Sequence, residues 1–559
     1  MDGERSPDPV SALRASVERA AASLDGEAAA ARLTLERPPK PQLGDYSTNA
    51  AMVLAPALGS PPREVAERLR EALAESLGPN AERIEVAGPG FLNVFLSDRW
   101  HREATNRVLA AADRFGAGAA ESPERILVEF VSANPTGPVT AAGGRGAAYG
   151  DSIARVLAFC GHEVQREYYL NDAGSQVRLF AESIAARLEG TEPPEGGYRG
   201  EYVAELAAEL REAGASAADL DELGRRGTEA MRVRIAATLE RFRVRYDSWF
   251  SERGLYASGG VEAAVAELRE RGHVYESEDA VWLRTTEFGD DKDRVLIRAD
   301  GEPTYFAADI AYHRDKRQRG YDHLITPLGA DHHGYVPRMK AALAAFGADP
   351  ELYEAPLMQL VNVVERGERT RMSKRTGEFV TLDELLADIG VDAARFWMLQ
   401  RSHDTAVDLD LELARRASQD NPVYYVQYAH ARIASILRKA VAEGAAPAAA
   451  DGADEGAIGA GATGDPSLEA DAEPAERALV RRLLELPEEV RVAAERRAPH
   501  RLCAYATATA ADFHAFYRDC RVVGAEPATE AARLALCVAA KRSIARTLDL
   551  LGVSAPERM

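Results

Sequence analysis

The sequence has few cysteines and no long apolar run, and both absences exclude classes of protein. Its four cysteines, Cys160, Cys503, Cys520 and Cys537, show no CxxC spacing. They therefore predict reduced core residues, as in a cytosolic protein, and argue against a zinc or disulfide framework. No stretch reaches the roughly 18 consecutive apolar residues of a membrane-spanning helix. The polar, acidic start MDGERSPDPV argues against a secretory signal, so we expect a cytoplasmic protein that makes no use of a membrane.

The sequence also has fewer basic than acidic residues, 68 against 89, so the net charge is −21. Taken alone, this balance argues against nucleic-acid binding. A multidomain chain binds through local patches, however, and residues 366–375 (RGERTRMSKR) carry five basic residues and one acid. A solvated loop is the alternative reading of that run.

The length of 559 residues predicts several domains. Residues 1–110 read as a small α/β domain. Residues 122–415 alternate strands and helices, which predicts the α/β class: a Rossmann-like, doubly wound parallel sheet with a helical insertion at about 175–275. Residues 416–559 read as an all-α helical bundle with a low-complexity excursion at 442–476.

The stretch from Ile126 to Gly150 organises the central domain. An apolar strand, Ile126–Val131, runs into a Pro-containing bend and then into small residues that begin a helix. Strand, Gly-rich turn and helix start form the geometry in which a nucleotide sits against backbone N–H groups. We therefore expect the chemistry here.

The sharpest motif is Arg371-Met372-Ser373-Lys374-Arg375, which glycines flank on both sides. A lysine on such a loop can reach a phosphate chain and stabilise the charge that develops as pyrophosphate leaves. As five letters, the motif fits a plain basic loop equally well. Its place after a strand–turn–helix start favours the order found in class I aminoacyl-tRNA synthetases.

Nearly the whole chain resembles arginyl-tRNA synthetase. The matching segments, in family order, are VEFVSANPTGP (128–138), YYLNDAG (168–174), ADGEPTYFAADIAYH (299–313), GADHHGYVPRMKAA (329–342), RMSKRTGEFVTLDEL (371–385), NPVYYVQYAHARI (421–433) and LDLLGVSAPERM (548–559). The resemblance implies that ATP activates L-arginine to arginyl-adenylate and that the arginyl group passes to the 3′ end of tRNA(Arg). ATP would bring Mg²⁺ with it as part of the substrate, and we predict no metal held by the protein.

The resemblance also implies site residues, each with a plainer alternative. The arginine pocket would contain Glu129, Asn134, Tyr305, Asp309 and His333, since carboxylates suit the forked hydrogen bonds of a guanidinium. The alternatives are a solvent-facing strand acid for Glu129 and an ordinary helix-start pair for Tyr305 and Asp309. The predicted ATP contacts are Gly143, Gly144, Gly329, Asp331, His332, Met358 and Lys374. The predicted tRNA contacts are Asn93, Tyr424, Tyr428 and Arg432, for which helix packing is the alternative.

A rival reading starts from Asp331-His332-His333, because DHH with further aspartates marks metal-dependent phosphoesterases. That reading needs an acidic metal motif after an N-terminal strand, and the sequence shows none there. The sequence also contains no Walker-type GxxxxGK[ST].

One departure from the family concerns the His-x-Gly-His signature of class I synthetases, which aligns with Thr140-Ala141-Ala142-Gly143. Losing one phosphate donor typically costs roughly 10²–10³ in rate. The replacements that we consider are the Thr140 hydroxyl, the N–H groups of Gly143 and Gly144, Arg145, and His332 or His333. The predicted catalytic set is therefore Lys374, Ser373, Met372 and Thr140.

Two functions remain open at this point: an arginine–tRNA ligase, or a catalytically silent synthetase-like paralogue that binds tRNA. The Met-Ser-Lys loop and the acids that suit a guanidinium favour the ligase. A monomer is weakly favoured.

Overall fold

The computed structural model describes residues 8–25, 33–369, 380–446, 448–449, 452–453 and 472–559. Met372, Ser373 and Lys374 lie outside the described residues. Within these ranges, no helix is both long and apolar enough to cross a bilayer.

The N-terminal part combines four helices with a four-stranded antiparallel sheet in the order β1-β2-β4-β3. Its elements are α1 (Pro9–Asp25), β1 (Leu35–Glu36), β2 (Tyr46–Thr48), α2 (Ala50–Leu58), α3 (Pro62–Leu77), β3 (Ala81–Ala87), β4 (Phe91–Leu96) and α4 (Asp98–Ala111). The apolar face of α3 is buried on this sheet through Val65, Leu69 and Leu73, which recur at helical spacing.

The central part contains thirteen strands and ten helices among the residues described between 122 and 415. Its strands are β5 (Arg125–Glu129), β6 (Glu163–Leu170), β7 (Ser248–Ser251), β8 (Val274–Ser277), β9 (Ala280–Leu283), β10 (Arg294–Ile297), β11 (His323–Ile325), β12 (Leu328–Gly329), β13 (Tyr353–Glu354), β14 (Leu357–Met358), β15 (Val361–Glu365), β16 (Glu368–Arg369) and β17 (Val407–Asp410). Its helices are α5 (Ala141–Cys160), α6 (Gly174–Glu189), α7 (Glu201–Glu212), α8 (Leu220–Arg241), α9 (Glu252–Ala257), α10 (Gly260–Glu270), α11 (Tyr305–Gln318), α12 (Tyr335–Ala345), α13 (Leu382–Leu399) and α14 (Leu411–Ala414).

The main sheet is parallel, with the strand order β13-β11-β5-β6-β7. This arrangement confirms the predicted α/β class with a doubly wound sheet. The strand order reverses between β5 and β11, and ligands of such folds bind beyond the carboxyl ends of the strands at that point. Strand β5 is buried on both faces, as its continuous apolar run requires in a parallel sheet. Helix α5 packs very close to the end of β5, because a Cβ on Gly150 would stand 2.2 Å from the Phe130 ring.

The helical insertion is shorter than the sequence predicts. Helices α6, α7 and α8 form their own apolar cluster, but the chain then returns to the main sheet as β7. The predicted span of about 175–275 was therefore wrong at its C-terminal end, since the four-residue strand Ser248–Ser251 falls inside it. That strand is only four residues long, which is too short for an alternating pattern to mark it.

The C-terminal part is helical, as predicted, and packs on both other parts. Its elements are α15 (Pro422–Ala442), β18 (Ala448–Ala449), β19 (Gly452–Ala453), α16 (Pro474–Leu483), α17 (Leu486–Glu495), α18 (His500–Asp519) and α19 (Pro527–Leu550). Helix α16 docks on the N-terminal part through Arg477, whose Nε lies 2.7 Å from Asp98 Oδ1, and through Arg481, which pairs with Asp45.

Candidate active site

The carboxylate of Glu129 lies at the carboxyl end of β5, beside the reversal of strand order. It is only 6% exposed, so the alternative of a solvent-facing acid was wrong. Its Oε2 accepts a hydrogen bond from Lys316 Nζ at 2.6 Å, and its Oε1 accepts one from Ser132 Oγ at 2.9 Å. Lys316 belongs to α11 and is fully buried. The first predicted arginine-binding acid is thus already paired inside the protein.

Asp309 lies on α11 one turn after Tyr305, on the same face of the helix, as predicted. Burial raises the pKa of Asp309 to about 7, with the nearby charge of Glu129 acting in the same direction. A hydrogen bond from Tyr335 and the charges of Lys316 and Arg338 oppose that shift in the pKa. The free site therefore holds a carboxyl group that ionises with difficulty.

A buried acid lies near Asp309, and sequence reasoning missed it. Glu252 opens α9 directly after β7 and is 3% exposed. Burial raises its pKa to about 7, the charges of Asp309 and Asp172 add to the shift, and a hydrogen bond from Tyr169 opposes it. Sequence analysis could have found Glu252 from its position, because it is an acid that directly follows a strand of the same parallel sheet. Two such acids form a site suited to a cation.

Hydrogen bonds to Glu167 fix α11 on the sheet and so position both Lys316 and Asp309. Glu167 on β6 accepts from Arg319 Nη1 and Nη2 at 2.7 and 2.8 Å, and from the Tyr312 hydroxyl at 2.6 Å. Burial opposes the charge of Glu167, but the bonds from Arg319 and Tyr312 outweigh burial and lower its pKa. This forked pair makes α11 a rigid support for the pocket.

Tyr305, Asn134 and His333 are the exposed members of the predicted arginine set. Tyr305 is 55% exposed at the first turn of α11, with its hydroxyl 3.2 Å from Ser175 Oγ. Asn134 is exposed in the bend after β5. His333 is exposed in the loop after β12, whereas Asp309 is half-buried and Glu252 is buried.

Four of the predicted nucleotide residues, Gly329, Asp331, His332 and Met358, lie where β12 pairs with β14 or directly after it. Gly329 stands opposite Met358 in the register of these strands, and Asp331 follows at once in an exposed turn. His332 Nε2 lies 3.6 Å from Asp331 Oδ2. In the part of the chain that the structure describes, no group of three or more His, Cys, Asp or Glu side chains could hold a metal ion.

At the start of α5, where the signature histidines are absent, the first backbone N–H groups bond to residues of the chain itself. Thr140 caps the helix, and its Oγ1 accepts from the N–H of Gly143 at 3.1 Å. The N–H of Gly144 donates to the Thr140 carbonyl at 3.1 Å. Arg145 is buried and donates to the carbonyls of Gln359 and Ser402. Gly143, Gly144 and Arg145 are thus hydrogen-bonded within the chain, and their contact with the phosphates stays a prediction. The Thr140 hydroxyl carries a hydrogen that it can donate.

The predicted tRNA residues divide into two groups. The rings of Tyr424 and Tyr428 are nearly parallel, with centroids 6.1 Å apart, and Arg432 lies between the rings of Tyr428 and Tyr517 at 4.9 and 5.0 Å. Tyr517, on α18, was not picked out from the sequence. Asn93 is only 6% exposed, and its Oδ1 accepts a hydrogen bond from Ser47 Oγ on the neighbouring strand. Its contact with a base stays a prediction.

Comparison with known proteins identifies the class first. Residues 216–433 match the family described as tRNA synthetases class I (R), catalytic domain, residues 11–96 match Arginyl tRNA synthetase N terminal domain, and residues 426–559 match DALR anticodon binding domain. The parallel sheet and its crevice are thus those of a class I aminoacyl-tRNA synthetase.

Comparison with whole chains identifies the family within this class. The chain is 45% identical to the arginine–tRNA ligase of Frankia alni across 99% of both chains. The Thermus thermophilus arginyl-tRNA synthetase structure has a TM-score of 0.74 at 26% identity and covers 98% of this chain and 100% of its own. The Plasmodium falciparum enzyme shares the fold at 16% identity, with a TM-score of 0.71 and 98% coverage of each chain. The chain belongs to the arginyl-tRNA synthetase family.

Proposed function

We propose that this chain is an arginine–tRNA ligase in which Asp309 and Glu252 hold the guanidinium of the substrate. The observation that carries the proposal is a pair of acids, the half-buried Asp309 and the 3% exposed Glu252, which lie close enough for the charge of Asp309 to raise the pKa of Glu252. An arginine guanidinium is planar, always charged and rich in donors, so it satisfies two carboxylates at once. A lysine ammonium offers a single charge centre and fits such a pair less well.

The role of Glu129 follows from its partner. Since Lys316 balances the charge of Glu129, the attraction for a cation comes mainly from Asp309 and Glu252. Glu129 retains lone pairs that can accept from a guanidinium N–H group. Tyr305 and Asn134, which are exposed at the rim, would contact the rest of the arginine.

For the activation step, we assign Gly329, Asp331 and Met358 to the nucleoside and Lys374, Ser373 and Met372 to the phosphates, with His332 and His333 beside them. Arginine's carboxylate attacks the α-phosphate of ATP, so a P–O bond forms to arginine and pyrophosphate leaves with its electron pair. A charge near the leaving group acts on the transition state more than on bound ATP. Mg²⁺ would enter with ATP.

For the transfer step, Tyr424, Tyr428, Arg432 and Tyr517 form a surface suited to unpaired bases. Aromatic faces stack on bases of any identity, and the guanidinium adds a cation–π or phosphate contact. We expect the ligase to act as a cytoplasmic monomer.

The alternative, a silent tRNA-binding paralogue, rests on the absence of the signature histidines alone, and the 45% identity to an arginine–tRNA ligase across 99% of both chains favours the ligase. Arginine-dependent ATP–pyrophosphate exchange with tRNA present separates the two. We expect exchange in the natural protein and a fall of at least about a hundredfold in Lys374→Ala. Exchange no greater than in Lys374→Ala would leave only tRNA binding.

A further inference from the structure

The last turn of α19 and the residues after it, 550–556, form a C-terminal tail whose backbone is held by side chains of other elements. The carbonyls of Leu550, Leu551, Gly552, Ser554 and Pro556 all accept such bonds. Their donors, in that order, are Ser152 on α5, Arg395 on α13, Arg243 after α8, and Gln427 and His430 on α15.

Two charged residues of α13 concentrate these contacts. Asp392 accepts from the Ser554 N–H at 2.9 Å and from the Ser554 hydroxyl, as well as from Gln427 Nε2 at 2.9 Å. Arg395 is fully buried, donates to the Leu551 carbonyl at 2.8 Å, and bonds Asp151 of α5 at 2.6 Å. The tail, α13 and α5 are thus tied at one point in the interior.

The same two helices meet again at their N-terminal ends, beside the candidate active site. The Ala141 N–H donates to the Val380 carbonyl at 2.9 Å, and the Leu382 N–H donates to the Val139 carbonyl at 2.8 Å. This bridge joins the residue next to Thr140 to the chain that follows Lys374 in sequence. Between the bridge and the tail contacts, α13 is interrupted at Gly390, whose φ is 78° and ψ 163°.

A helix broken at one residue does not transmit orientation by itself, so contacts on each half must set the angle between them. A capping box at Thr381 and Glu384 stabilises the start of the first half. The tail holds the second half.

We propose that the C-terminal tail orients α13 against α5, with Asp392 and Arg395 as positioning residues, and thereby sets the geometry of the bridge beside Thr140. The inference rests on the proposed ligase function for its effect on rate. None of these residues would touch the substrate.

The test uses Gly552→Ala. A Cβ there would stand 2.3 Å from Arg395 Cζ, so the tail or the guanidinium must move. Gly190→Ala is the matched control, because Gly190 also has a positive φ, 76° against 68°, but a Cβ there has nothing within 4 Å. Both variants carry similar backbone strain, and only one disturbs the tail.

The first readout is hydrogen exchange at the Ala141 and Leu382 amides in the full chain. We expect exchange about tenfold faster in Gly552→Ala than in Gly190→Ala, at temperatures where both variants are folded. Equal rates would overturn the proposal, whatever the activity. If Gly552→Ala does not fold, Ser554→Ala removes the hydroxyl bond to Asp392 and is judged by the same two amides.

The second readout is steady-state aminoacylation. We expect kcat to fall by about ten- to a hundredfold in Gly552→Ala, because small misplacements of reacting groups are costly. The KM for arginine should stay within about twofold, because the arginine pocket lies elsewhere. A loss of rate no larger than the unfolded fraction would show a structural role only. Inactivity of the natural protein would instead count against the proposed function, and the amide exchange would still decide the present inference.

Discussion

Lys316 and Glu129 form a salt bridge of 2.6 Å between Nζ and Oε2, with side chains 0% and 9% exposed. The two residues are 187 positions apart in the chain. The bridge joins α11 to the end of β5, so it both holds the pocket together and decides how much negative charge the pocket offers to arginine.

Removing the ammonium should therefore be costly. Lys316→Met leaves a buried carboxylate unpaired, and we expect the free energy of unfolding to fall by about 3–5 kcal/mol. Urea denaturation measures it. The matched control is Lys340→Met, which removes the more exposed bridge to Glu351 and should cost about 1 kcal/mol or less. Adding Glu129→Gln to Lys316→Met should restore much of the stability, and failure of this rescue would contradict the pairing argument.

Arginine affinity should rise with pH. The pKa values of Asp309 and Glu252 are both raised to about 7, and a guanidinium binds only to the ionised forms well. Below pH 7 arginine must displace a proton from each acid that is still protonated, so we expect Kd to increase by up to about tenfold per pH unit for each proton released. Calorimetry from pH 6 to 8 measures both Kd and the protons released. In Glu252→Gln the number of protons released should fall, and a Kd independent of pH in the natural protein would refute the assignment.

The same acids should make the free protein less stable as pH rises. The pKa of Asp309 is raised in the folded state from an ordinary 3.8 to about 7, and that of Glu252 from 4.5 to about 7. The folded state therefore binds protons more tightly, and stability falls as pH increases from about 4 to 7 through these groups. Asp309→Asn should flatten this decline, as followed by the Tm across that range. In the natural protein, saturating arginine should also reduce this decline in Tm.

Thr140 is expected to serve both as a helix cap and as a phosphate donor. Thr140→Ala should cost about 0.5–2 kcal/mol of stability through the lost cap. We also expect kcat to fall while arginine affinity stays nearly intact, and Thr140→Ser should recover both properties. Ser97→Ala removes the comparable cap of α4 and should leave kcat unchanged. An unchanged rate in Thr140→Ala would mean that the phosphate contact comes from another group.

The aromatic surface around Arg432 should bind tRNA without taking part in activation. Tyr517→Ala removes a ring that lies 5.0 Å from the Arg432 guanidinium, and we expect the KM for tRNA to rise by about ten- to a hundredfold, as for the loss of one stacked base. The KM for arginine and for ATP should not change. The neighbouring Arg518→Ala is the control, since Arg518 is exposed and pairs with Asp519. If Tyr517→Ala and Arg518→Ala had the same KM for tRNA, Tyr517 would not be part of the tRNA-binding surface.

Much of the site could be predicted from local sequence. The apolar run Ile126–Val131 predicted a strand that contains Glu129, and the structure ends that strand at Glu129. The helical spacing of Tyr305 and Asp309 put both on one face of α11. These features depend on residues within a few positions of one another in the chain, so the periodicity of the sequence predicts them. Glu252 was missed because its strand is short and half-buried, so neither period nor hydropathy marks it.

The sequence by itself determined the α/β class, the helical C-terminal part and the resemblance to one synthetase family, because strand and helix periods and motif order are properties of the linear chain. Only the tertiary structure decided that Lys316 balances Glu129, that Glu252 joins Asp309, and that the start of α5 is closed by Thr140. The physical reason is that burial and charge pairing depend on which distant segments meet in space. The pKa and the role of a carboxylate depend on the residues that the fold brings next to it.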